Sequence, residues 1–410
     1  MNKILYILLV MGCCLVEVFL TGCDKNANND EITTYYEINK RNSLNMFSPV
    51  RLSMLKSGPS ELFRIVHISD AHLTTWSSNN HIQHPHNLLE AVQFANEPEA
   101  KINVVVDTGD HIGNAPETTR STALKYLDVF TGALYNKGNN IPTFTSTGNH
   151  DANMLNKNHS EFTLSKADIY SHLTAKTNHP VHSAGAENYY YADVRNPMGG
   201  VVRIIALDVM DQESTKYNAQ FFALFSQKQM DWFCHTALKE NMTGNHSVIV
   251  LIHYPLSIDN EIRKYVSNEF LYDWRVVPEI VEAFRTKREL SQKYANRFDP
   301  SDSLSVAVSF KDVPGEFICY LGGHIHTYLN CEIEGFRNPD LFLPKQIMII
   351  ANNMSPSEKN PQSNIRRDEV GLRNNTFNLY AVDTMSKTIY ITFFGATSFY
   401  YPNIIELSYL

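Results

Sequence analysis

The sequence predicts an α/β protein in which strands and helices alternate along most of the chain. Short apolar runs of strand length recur from residue 61 onward, and segments with helical spacing separate them. Strands that alternate with helices form a sheet with helical layers outside it. The composition agrees, because 43% of the 410 residues are hydrophobic and 19% are charged, which is enough apolar material for a large core.

The first part of this pattern runs from residue 63 to residue 252. Strands are predicted at residues 63–69, 102–108, 142–147, 189–193, 201–208 and 247–252, and helices at residues 87–95, 117–135 and 227–239. In the second helix apolar residues recur at intervals of three or four and therefore lie on one side, namely Leu124, Leu127, Phe130 and Leu134.

The C-terminal part continues with further strands. They are predicted at residues 317–321, 346–350, 376–383 and 388–394, with a hairpin turn at Met385-Ser386-Lys387 between the last two. An insertion lies between about residues 257 and 315. Within it, residues 277–294 are predicted to form a helix with four basic side chains, Arg285, Lys287, Arg288 and Lys293. A solvated helix face is the favoured interpretation, and a substrate cap that contacts phosphate is the alternative.

The N-terminus has the pattern of a processing signal. An apolar run over residues 4–19 follows Lys3 and ends at Leu20-Thr21-Gly22-Cys23, which resembles the lipoprotein box of bacteria. We expect residues 1–22 to be a signal peptide, Cys23 to carry lipid, and the polar residues 23–60 to be a flexible tether. An uncleaved membrane anchor is the alternative, although the run is short and contains Glu17. Either reading places the rest of the chain outside the cytoplasm, on the periplasmic or cell-surface side.

Cysteine usage and charge narrow the class of protein. Once the signal peptide and the lipid-bearing cysteine are set aside, Cys234, Cys319 and Cys331 remain, without a CxxC spacing. Buried free thiols are the favoured interpretation, and a bridge between Cys319 and Cys331 is the alternative. The formal net charge of −8 disfavours stable binding to nucleic acid, which requires a basic face.

Five short segments carry metal-binding side chains, and each of them follows an apolar run of strand length. In chain order they are Asp70-Ala71-His72, Gly109-Asp110, Gly148-Asn149-His150-Asp151, His253 and Gly323-His324-Ile325-His326. Loops at the carboxyl ends of strands open into one crevice of an α/β sheet, so we expect one sheet edge to gather these side chains. Carboxylate oxygens combined with imidazole nitrogens suit Mn²⁺, Fe or Zn²⁺ better than Ca²⁺.

This ordered set resembles the calcineurin-like metallophosphoesterase superfamily, whose pattern is D-x-H, G-D, G-N-H-(D/E), a lone H and G-H-x-H. The resemblance covers residues 62–326, and all five segments carry it. It implies a two-sheet β-sandwich of mixed sheets flanked by helices, with the C-terminal strands in the second sheet. Residues 61–410 would form this one phosphoesterase domain.

The resemblance also implies a role for each residue. One divalent ion would be held by Asp70, His72 and His326, a second by Asn149, His253 and His324, with Asp110 bridging the two. Two such ions, about 3.5–4 Å apart, clamp a phosphate and share a water that becomes the attacking hydroxide. As general acid, His150 would protonate or stabilise the leaving alkoxide, while Asp151 would orient His150 or another neighbour of the site.

Two departures from the family pattern indicate which branch of the family this chain resembles. Phosphoprotein phosphatases carry Asp and Arg shortly after the G-D segment, and purple acid phosphatases place a tyrosine ligand there. This chain has Asp110-His111-Ile112-Gly113-Asn114 instead. It therefore resembles the phosphodiesterase-like members, and we expect it to hydrolyse small-molecule or lipid-linked phosphate esters.

Other interpretations of the same residues stay open. Any one of these histidines alone is compatible with a structural role. The whole chain is compatible with a non-catalytic, metal-containing surface lipoprotein that binds a ligand, or with a nuclease of the same fold. His67 is expected in the core, and His111 either points into the crevice or away from it. The cluster His81, His84 and His86 is expected in a polar loop near the site, with an accessory metal site as the alternative.

Overall fold

A computed structural model describes most of the predicted domain and one helix before it. The described residues are 29–46, 61–74, 85–113, 118–136, 138–153, 162–211, 222–256, 270, 272–299, 301–333, 346–352, 354 and 374–409. The proposed signal peptide, Cys23, His81 and His84 lie outside these residues, so the predictions about them stay predictions.

Six α-helices lie within the described residues. They are α1 (Asn29–Met46), α2 (Pro85–Ala95), α3 (Arg120–Leu134), α4 (Lys166–His172), α5 (Gln227–Trp232) and α6 (Val276–Arg285). Short 3₁₀ turns follow at Thr174–Lys176 and Ala396–Phe399, and α5 continues as a π-turn over Phe233–Ala237. None of the helices in this part of the chain combines the length and apolarity that crossing a bilayer requires.

The first sheet has six strands in the order β15-β14-β13-β1-β2-β3. They are β1 (Phe63–Ile68), β2 (Val104–Asp107), β3 (Thr143–Thr145), β13 (Thr376–Asp383), β14 (Thr388–Gly395) and β15 (Ile405–Ser408). The strands β1, β2 and β3 run parallel, and β13, β14 and β15 extend the sheet antiparallel from β1. The last three strands therefore join the first sheet, where the sequence had placed the C-terminal strands in the second.

The second sheet has seven strands in the order β11-β12-β10-β7-β6-β5-β4. They are β4 (His182–Ser183), β5 (Tyr190–Arg195), β6 (Val201–Ala206), β7 (His246–Leu251), β10 (Glu316–Gly322), β11 (Leu329–Ile333) and β12 (Gln346–Ile350). The four strands β6, β7, β10 and β12 are parallel. Both sheets are mixed and helices accompany them, which confirms the predicted fold class.

A layer of apolar side chains fills the space between the two sheets. On β1, Phe63 and Ile65 belong to this layer, whereas Val66 and Ile68 belong to the separate core that includes the helices. Successive side chains of a strand point to opposite faces, so a strand buried on both faces has no polar side. This double burial explains why the sequence shows these strands as continuous apolar runs.

The insertion folds differently from its sequence prediction. Helix α6 ends at Arg285, and the chain then forms the antiparallel pair β8 (Glu289–Ala295) and β9 (Ser303–Ser309). Along β8 only Tyr294 is buried, so the apolar spacing that a helix needs stops with Phe284. The predicted helix over residues 277–294 is therefore wrong in its second half.

Residues 29–46 form a helix, although the sequence predicted a flexible tether there. Helix α1 packs on β14, with Tyr36, Asn39 and Ser43 buried. The Tyr36 hydroxyl donates to Glu97 over 3.3 Å, and the Ser43 hydroxyl donates to the carbonyl of Phe393 over 3.3 Å. Helix α1 has a polar sequence with little helical signal, and packing against the rest of the fold stabilises it. The three cysteines within the described residues are free, as favoured, but only Cys234 and Cys319 are buried, while Cys331 is half-buried.

Candidate metal centre

The candidate centre lies where strands of both sheets end. The first sheet supplies Asp70 and His72 after β1, Asp110 after β2 and Asn149 after β3. The second sheet supplies His253 after β7, and His324 and His326 after β10. The carboxyl ends of all five strands meet at the centre, as expected of ligands that follow parallel strands. The expectation of a single sheet edge was wrong, because the donor set is completed only where two sheets face each other.

The backbone at these residues is unusual. Asp70, His72, Asp110, His324 and His326 all have positive φ, between 46° and 74°. Residues other than glycine rarely adopt this left-handed region, and each such residue costs of order 1–3 kcal/mol. Five of the seven predicted ligands therefore sit on strained backbone, which is a common property of functional sites.

The first predicted group of ligands comes together closely. Asp70, His72, Asp110 and His326 each offer a donor atom, and all of these atoms lie within 4.8 Å of one another. His326 Nε2 is 3.3 Å from an oxygen of Asp70, and His72 Nε2 is 3.7 Å from an oxygen of Asp110. The Nε2 atoms of His72 and His326 are only 2.9 Å apart. Two imidazole nitrogens that face each other beside buried carboxylates match the donor set of a divalent cation.

The second group shares Asp110 with the first. Donor atoms of Asp110, His253 and His324 lie within 4.8 Å of one another. The side-chain oxygen of Asn149 lies 3.1 Å from His253 Nε2 and 3.0 Å from His324 Nδ1. A residue common to both groups suits the predicted bridge between two ions.

A backbone carbonyl fixes the orientation of His253. Its Nδ1 lies 2.7 Å from the carbonyl oxygen of Thr108, which can only accept. Nδ1 therefore donates to this carbonyl, and Nε2 faces Asp110, 3.2 Å away. This arrangement is typical of histidines that bind metals, whose second nitrogen donates to a carbonyl or carboxylate.

Asp110 and the neighbouring histidines shift each other's pKa values. Burial by itself would raise the pKa of Asp110, but the neighbouring His253 and His150 hold it well below its ordinary value. Burial would lower the pKa of His253, but Asp110 outweighs it and raises the pKa to about 9. The residues present thus fit a site for cations by donor type, by convergence and by charge.

His150 lies at the rim of this centre. Its backbone N–H donates to Asp110 over 2.8 Å, and its ring meets the ring of His72 edge-on, with centroids 4.6 Å apart. Its side chain is 31% exposed, more than those of His72 and His326. Burial lowers the pKa of His150 to about 4, so the imidazole is neutral at neutral pH and still carries one N–H to donate.

Asp151 lies behind the loops that carry the candidate ligands. Its oxygens accept from the backbone N–H groups of Gly148 (2.7 Å), Asp110 (3.2 Å) and His111 (2.8 Å), and it is fully buried. Its partners are these loops and the His111 ring, so orientation of the His150 ring is not its role. Of the two predicted roles for Asp151, these contacts favour the orientation of another neighbour of the site, His111.

His111 points away from the crevice. Its ring nitrogens lie 2.7 Å from Asp107 and 2.8 Å from Asp151, and its ring packs on Phe130. Burial would lower the pKa of His111, but Asp151 and Asp107 raise it to about 10. The buried ring is therefore a cation between two carboxylates, and together the three side chains hold the loops that carry Asp110 and Asn149.

Two residues that the sequence analysis missed connect the sheets beneath the centre. The hydroxyl of Thr147, two residues before Asn149, donates to Asp208. Asp208 follows β6, and Gln229 donates to its carbonyl and accepts from its N–H, over 2.9 and 2.8 Å. The signal that identified the other segments was present here too, because Asp208 is a polar residue directly after an apolar run.

Two motif glycines allow the loops to approach closely. A Cβ on Gly148 would collide with the backbone nitrogen and carboxylate of Asp110, and a Cβ on Gly323 would collide with Ser69 and Asp70. Any other residue would push apart the two strands that deliver ligands.

Two of the remaining histidines within the described residues have structural partners. His67 is fully buried, with its ring nitrogens 2.7 Å from the Tyr380 hydroxyl and 2.9 Å from the Thr108 hydroxyl, as the core prediction required. His86 lies in α2, with Nε2 3.1 Å from Asn374.

Comparison with known families agrees with this geometry. A family model described as calcineurin-like phosphoesterase matches residues 63–328, a range that spans all five segments. The chain belongs to the calcineurin-like phosphoesterase family. This membership confirms the resemblance that the sequence motifs indicated.

Among solved structures, two phosphatase-related chains show what this chain is similar to. A purple acid phosphatase PPD1 from yellow lupin (Lupinus luteus) seeds aligns at 14% identity with a TM-score of 0.38, covering 82% of this chain and 52% of the lupin chain. A structure of PhoD aligns at 9% identity with a TM-score of 0.43, covering 85% of this chain and 72% of that one. This chain thus spans about half the length of the lupin protein. No curated protein matches the sequence.

Proposed function

We propose that this phosphoesterase-family protein is a metal-dependent hydrolase of phosphate esters. The observation that carries the proposal is the convergence of two donor groups that share the buried Asp110. Such a pair of sites is the arrangement that two-metal phosphoester hydrolysis uses.

We assign the ligands to the two ions in the way that the sequence motifs suggest. Asp70, His72 and His326 would hold one ion, Asn149, His253 and His324 the other, and Asp110 would contact both. When bound, two divalent ions such as Mn²⁺, Fe or Zn²⁺ supply a clamp for the phosphate and lower the pKa of a water. Hydrogen bonds of His253 to the Thr108 carbonyl and of the His324 N–H to Asp70 hold these donors in place, which reduces the cost of ordering them on binding.

His150 stabilises the departing oxygen in this proposal. Its side chain is more exposed than those of His72 and His326, and its Nε2 lies 3.9 Å from an oxygen of Asp110. Because the pKa of His150 is low, its contribution near neutral pH is a hydrogen bond from the neutral ring. A buried charge network of Asp107, His111 and Asp151 keeps the loops around it in register.

A substrate panel tests the proposal. The purified protein, supplied with Mn²⁺, Zn²⁺ or Fe²⁺, is assayed on an aryl phosphomonoester, an aryl phosphodiester, a cyclic nucleotide, a nucleotide sugar and a phospholipid. We expect metal-dependent turnover of at least one class and loss of that turnover with a chelator. Inactivity on the whole panel, with two equivalents of metal bound, would favour the alternative of a binding protein.

His150→Ala gives the sharper comparison. The variant should keep its metal content and lose about 10²-fold in kcat, as removal of one donor to a developing oxyanion does in other enzymes. His172→Ala is the matched control, since His172 pairs at the surface with Asp128. Equal activity of the two variants would remove His150 from the mechanism.

We also propose that a lipid on Cys23 holds the protein at a membrane, outside the cytoplasm, near small-molecule or lipid-linked phosphate esters. The supporting observation is the segment Leu20-Thr21-Gly22-Cys23 after an apolar run. In cells grown with labelled fatty acid, the wild-type protein should carry label and sediment with membranes, and Cys23→Ser should do neither. Label on the Cys23→Ser variant would contradict this site of anchoring.

A further inference from the structure

A series of buried polar side chains runs from the candidate centre into the layer between the two sheets. It starts at Asp70 and continues through Ser69, Thr108 and His67 to Tyr380, and none of these residues is more than 1% exposed. The successive polar atoms are 2.6, 2.8, 2.9 and 2.7 Å apart. We call these five side chains the Asp70 network.

The carboxylate at one end fixes the direction of the bonds that follow it. The oxygens of an ionised Asp70 can only accept, so the hydroxyl of Ser69 donates to Oδ2 of Asp70. A hydroxyl has one proton, and Ser69 must therefore accept from the hydroxyl of Thr108. Since the proton of Thr108 points at Ser69, the Thr108 oxygen accepts from Nε2–H of His67.

The neutral ring of His67 extends the same direction to Tyr380. Burial lowers the pKa of His67 to about 3, so the ring carries one proton at neutral pH, and that proton is on Nε2. Nδ1 then accepts from the hydroxyl of Tyr380, whose oxygen accepts from the side-chain amide of Asn378 over 2.8 Å. Every donor of the network thus points toward Asp70, and hydrogen bonds aligned in this way strengthen one another.

The two oxygens of Asp70 consequently have different surroundings. Oδ2 accepts from Ser69, whereas Oδ1 lies 3.3 Å from Nε2 of His326 and 3.8 Å from Nε2 of His72. The bond to Ser69 restricts rotation of the carboxylate and leaves Oδ1 facing the other donors of the first group. A ligand oriented in advance loses less entropy when a metal ion binds.

Thr108 connects the Asp70 network to the second donor group. Its hydroxyl lies within the network, while its backbone carbonyl accepts from Nδ1 of His253 over 2.7 Å. A change of the side chain removes the hydroxyl and keeps the carbonyl. The two connections of Thr108 can therefore be separated by substitution.

From these observations we propose that a one-directional series of hydrogen bonds orients the Asp70 carboxylate toward the ion that it would share with His72 and His326. The positioning residues of this series are Ser69, Thr108, His67 and Tyr380. Partners behind the ligands of a metal site change metal affinity about 10–100-fold when they are removed. This inference rests on the proposed metal-dependent function and adds the residues that set the affinity for one of its two ions.

Metal affinity tests the Asp70 network without an assay of turnover. Equilibrium dialysis of the full-length protein against Mn²⁺ gives the dissociation constants of the two ions. We expect one of them to rise about tenfold or more in Ser69→Ala, with little change in the other, and to rise by a smaller factor in Thr108→Val. The double variant should bind Mn²⁺ no more weakly than Ser69→Ala alone, because Thr108 acts on Asp70 only through Ser69.

Two buried hydroxyls elsewhere provide matched controls. Ser43 donates to the carbonyl of Phe393, and Thr131 donates to the carbonyl of Leu127 over 2.9 Å. Ser43→Ala and Thr131→Val should leave both Mn²⁺ dissociation constants unchanged. Equal Mn²⁺ binding by the wild type and Ser69→Ala would overturn the network and leave the hydrolase proposal standing, whereas a wild type that binds no divalent metal would contradict the proposed function itself.

The tautomer of His67 gives a second test that needs no metal. In protein labelled with ¹⁵N at histidine, two-bond ¹H–¹⁵N correlation spectra show which ring nitrogen carries the proton, and His67→Gln assigns the signal. We expect the proton of His67 on Nε2 at pH 7. A proton on Nδ1, or on both nitrogens, would overturn the direction of the bonds and with it the proposal.

Discussion

The two sheets contribute unequal halves to the candidate centre. The half from the first sheet, which we call the acid half, consists of Asp70, His72, Asp110 and Asn149. The half from the second sheet, the imidazole half, consists of His253, His324 and His326. The acid half contains both carboxylates of the centre, whereas the imidazole half contributes three histidine side chains as further donors.

The halves are also held in different ways. Buried carboxylates of Asp107 and Asp151 accept the backbone N–H groups of Gly109, Asp110 and Gly148, so the acid half has its own polar scaffold. The imidazole half depends on its partner sheet instead. His253 bonds to the carbonyl of Thr108, and the N–H of His324 is 3.1 Å from the carboxylate of Asp70. Because residues of the first sheet hold the imidazole half in place, we expect a substitution in the acid half to disturb the positions of both halves.

The largest effect is expected for Asp110→Asn, which removes the negative charge common to both donor groups. Outer partners of a metal site are each worth about 10–100-fold, so loss of the shared ligand should exceed that and abolish measurable turnover. Elemental analysis should show less than one metal ion per chain. Asp128→Asn at the surface is the control, and retention of both ions by Asp110→Asn would show that the two groups do not share this residue.

Asp151→Ala should cause the next largest effect, and its main readout is stability. The change strands three backbone N–H groups and leaves the cationic His111 with one carboxylate instead of two. Breaking a buried charge network in this way costs about 3–5 kcal/mol of unfolding free energy. Urea denaturation measures it, with Asp128→Ala at the surface as control, where about 1 kcal/mol or less is expected. Equal losses of unfolding free energy for the two variants would show that Asp151 stabilises the fold no more than a surface carboxylate does.

Thr147→Val probes the connection between the sheets. It removes the hydroxyl that bonds Asp208 and leaves a buried carboxylate oxygen without that donor. We expect a loss of about 1–3 kcal/mol in unfolding free energy and about tenfold in kcat/KM, because Asn149 lies on the same loop. The surface change Thr122→Val should stay within about 0.5 kcal/mol. If activity were unaffected while stability fell, the contact would serve folding alone.

The smallest effect concerns pH and His67, which lies between the acid half and Tyr380. Burial lowers the pKa of His67 to about 3, so the folded protein keeps the ring neutral while the unfolded chain takes a proton below about pH 6.5. Its contribution to stability is thus complete above pH 6.5 and falls as the pH drops toward 3, by at most about 1.4 kcal/mol per pH unit.

Denaturation of wild type and His67→Gln at pH 7, 6 and 5 measures this contribution. The free-energy difference between the two proteins should shrink as the pH falls, because only the wild type pays for keeping the ring neutral. A constant difference would mean that His67 titrates alike in the folded and unfolded states.

Much of the candidate site could be predicted from the sequence because its signals are local. A polar residue directly after an apolar run marks the carboxyl end of a strand, and this rule located Asp70, Asp110, Asn149 and His253. The strands themselves were predicted well for the same reason, since double burial makes them continuously apolar. The hairpin of β13 and β14 also follows from local patterning, as the turn after Asp383 shows.

Errors arose where the sequence pattern was ambiguous. Helix α1 looked like a tether because its sequence is polar, and only packing on β14 stabilises it. The strand β8 looked helical because its alternation is weak and its buried residue is a single tyrosine. In both cases tertiary contacts outweighed local preference.

By itself, the sequence determined the donor set, its order and its placement at strand ends. That two sheets share the centre, and that Asp151 contacts His111 and the loops rather than the ring of His150, followed from the tertiary structure alone. The physical reason is that strand pairing and side-chain partners are non-local. A residue's own neighbours in the chain fix whether it follows a strand, whereas its contacts depend on which distant segments pack against it.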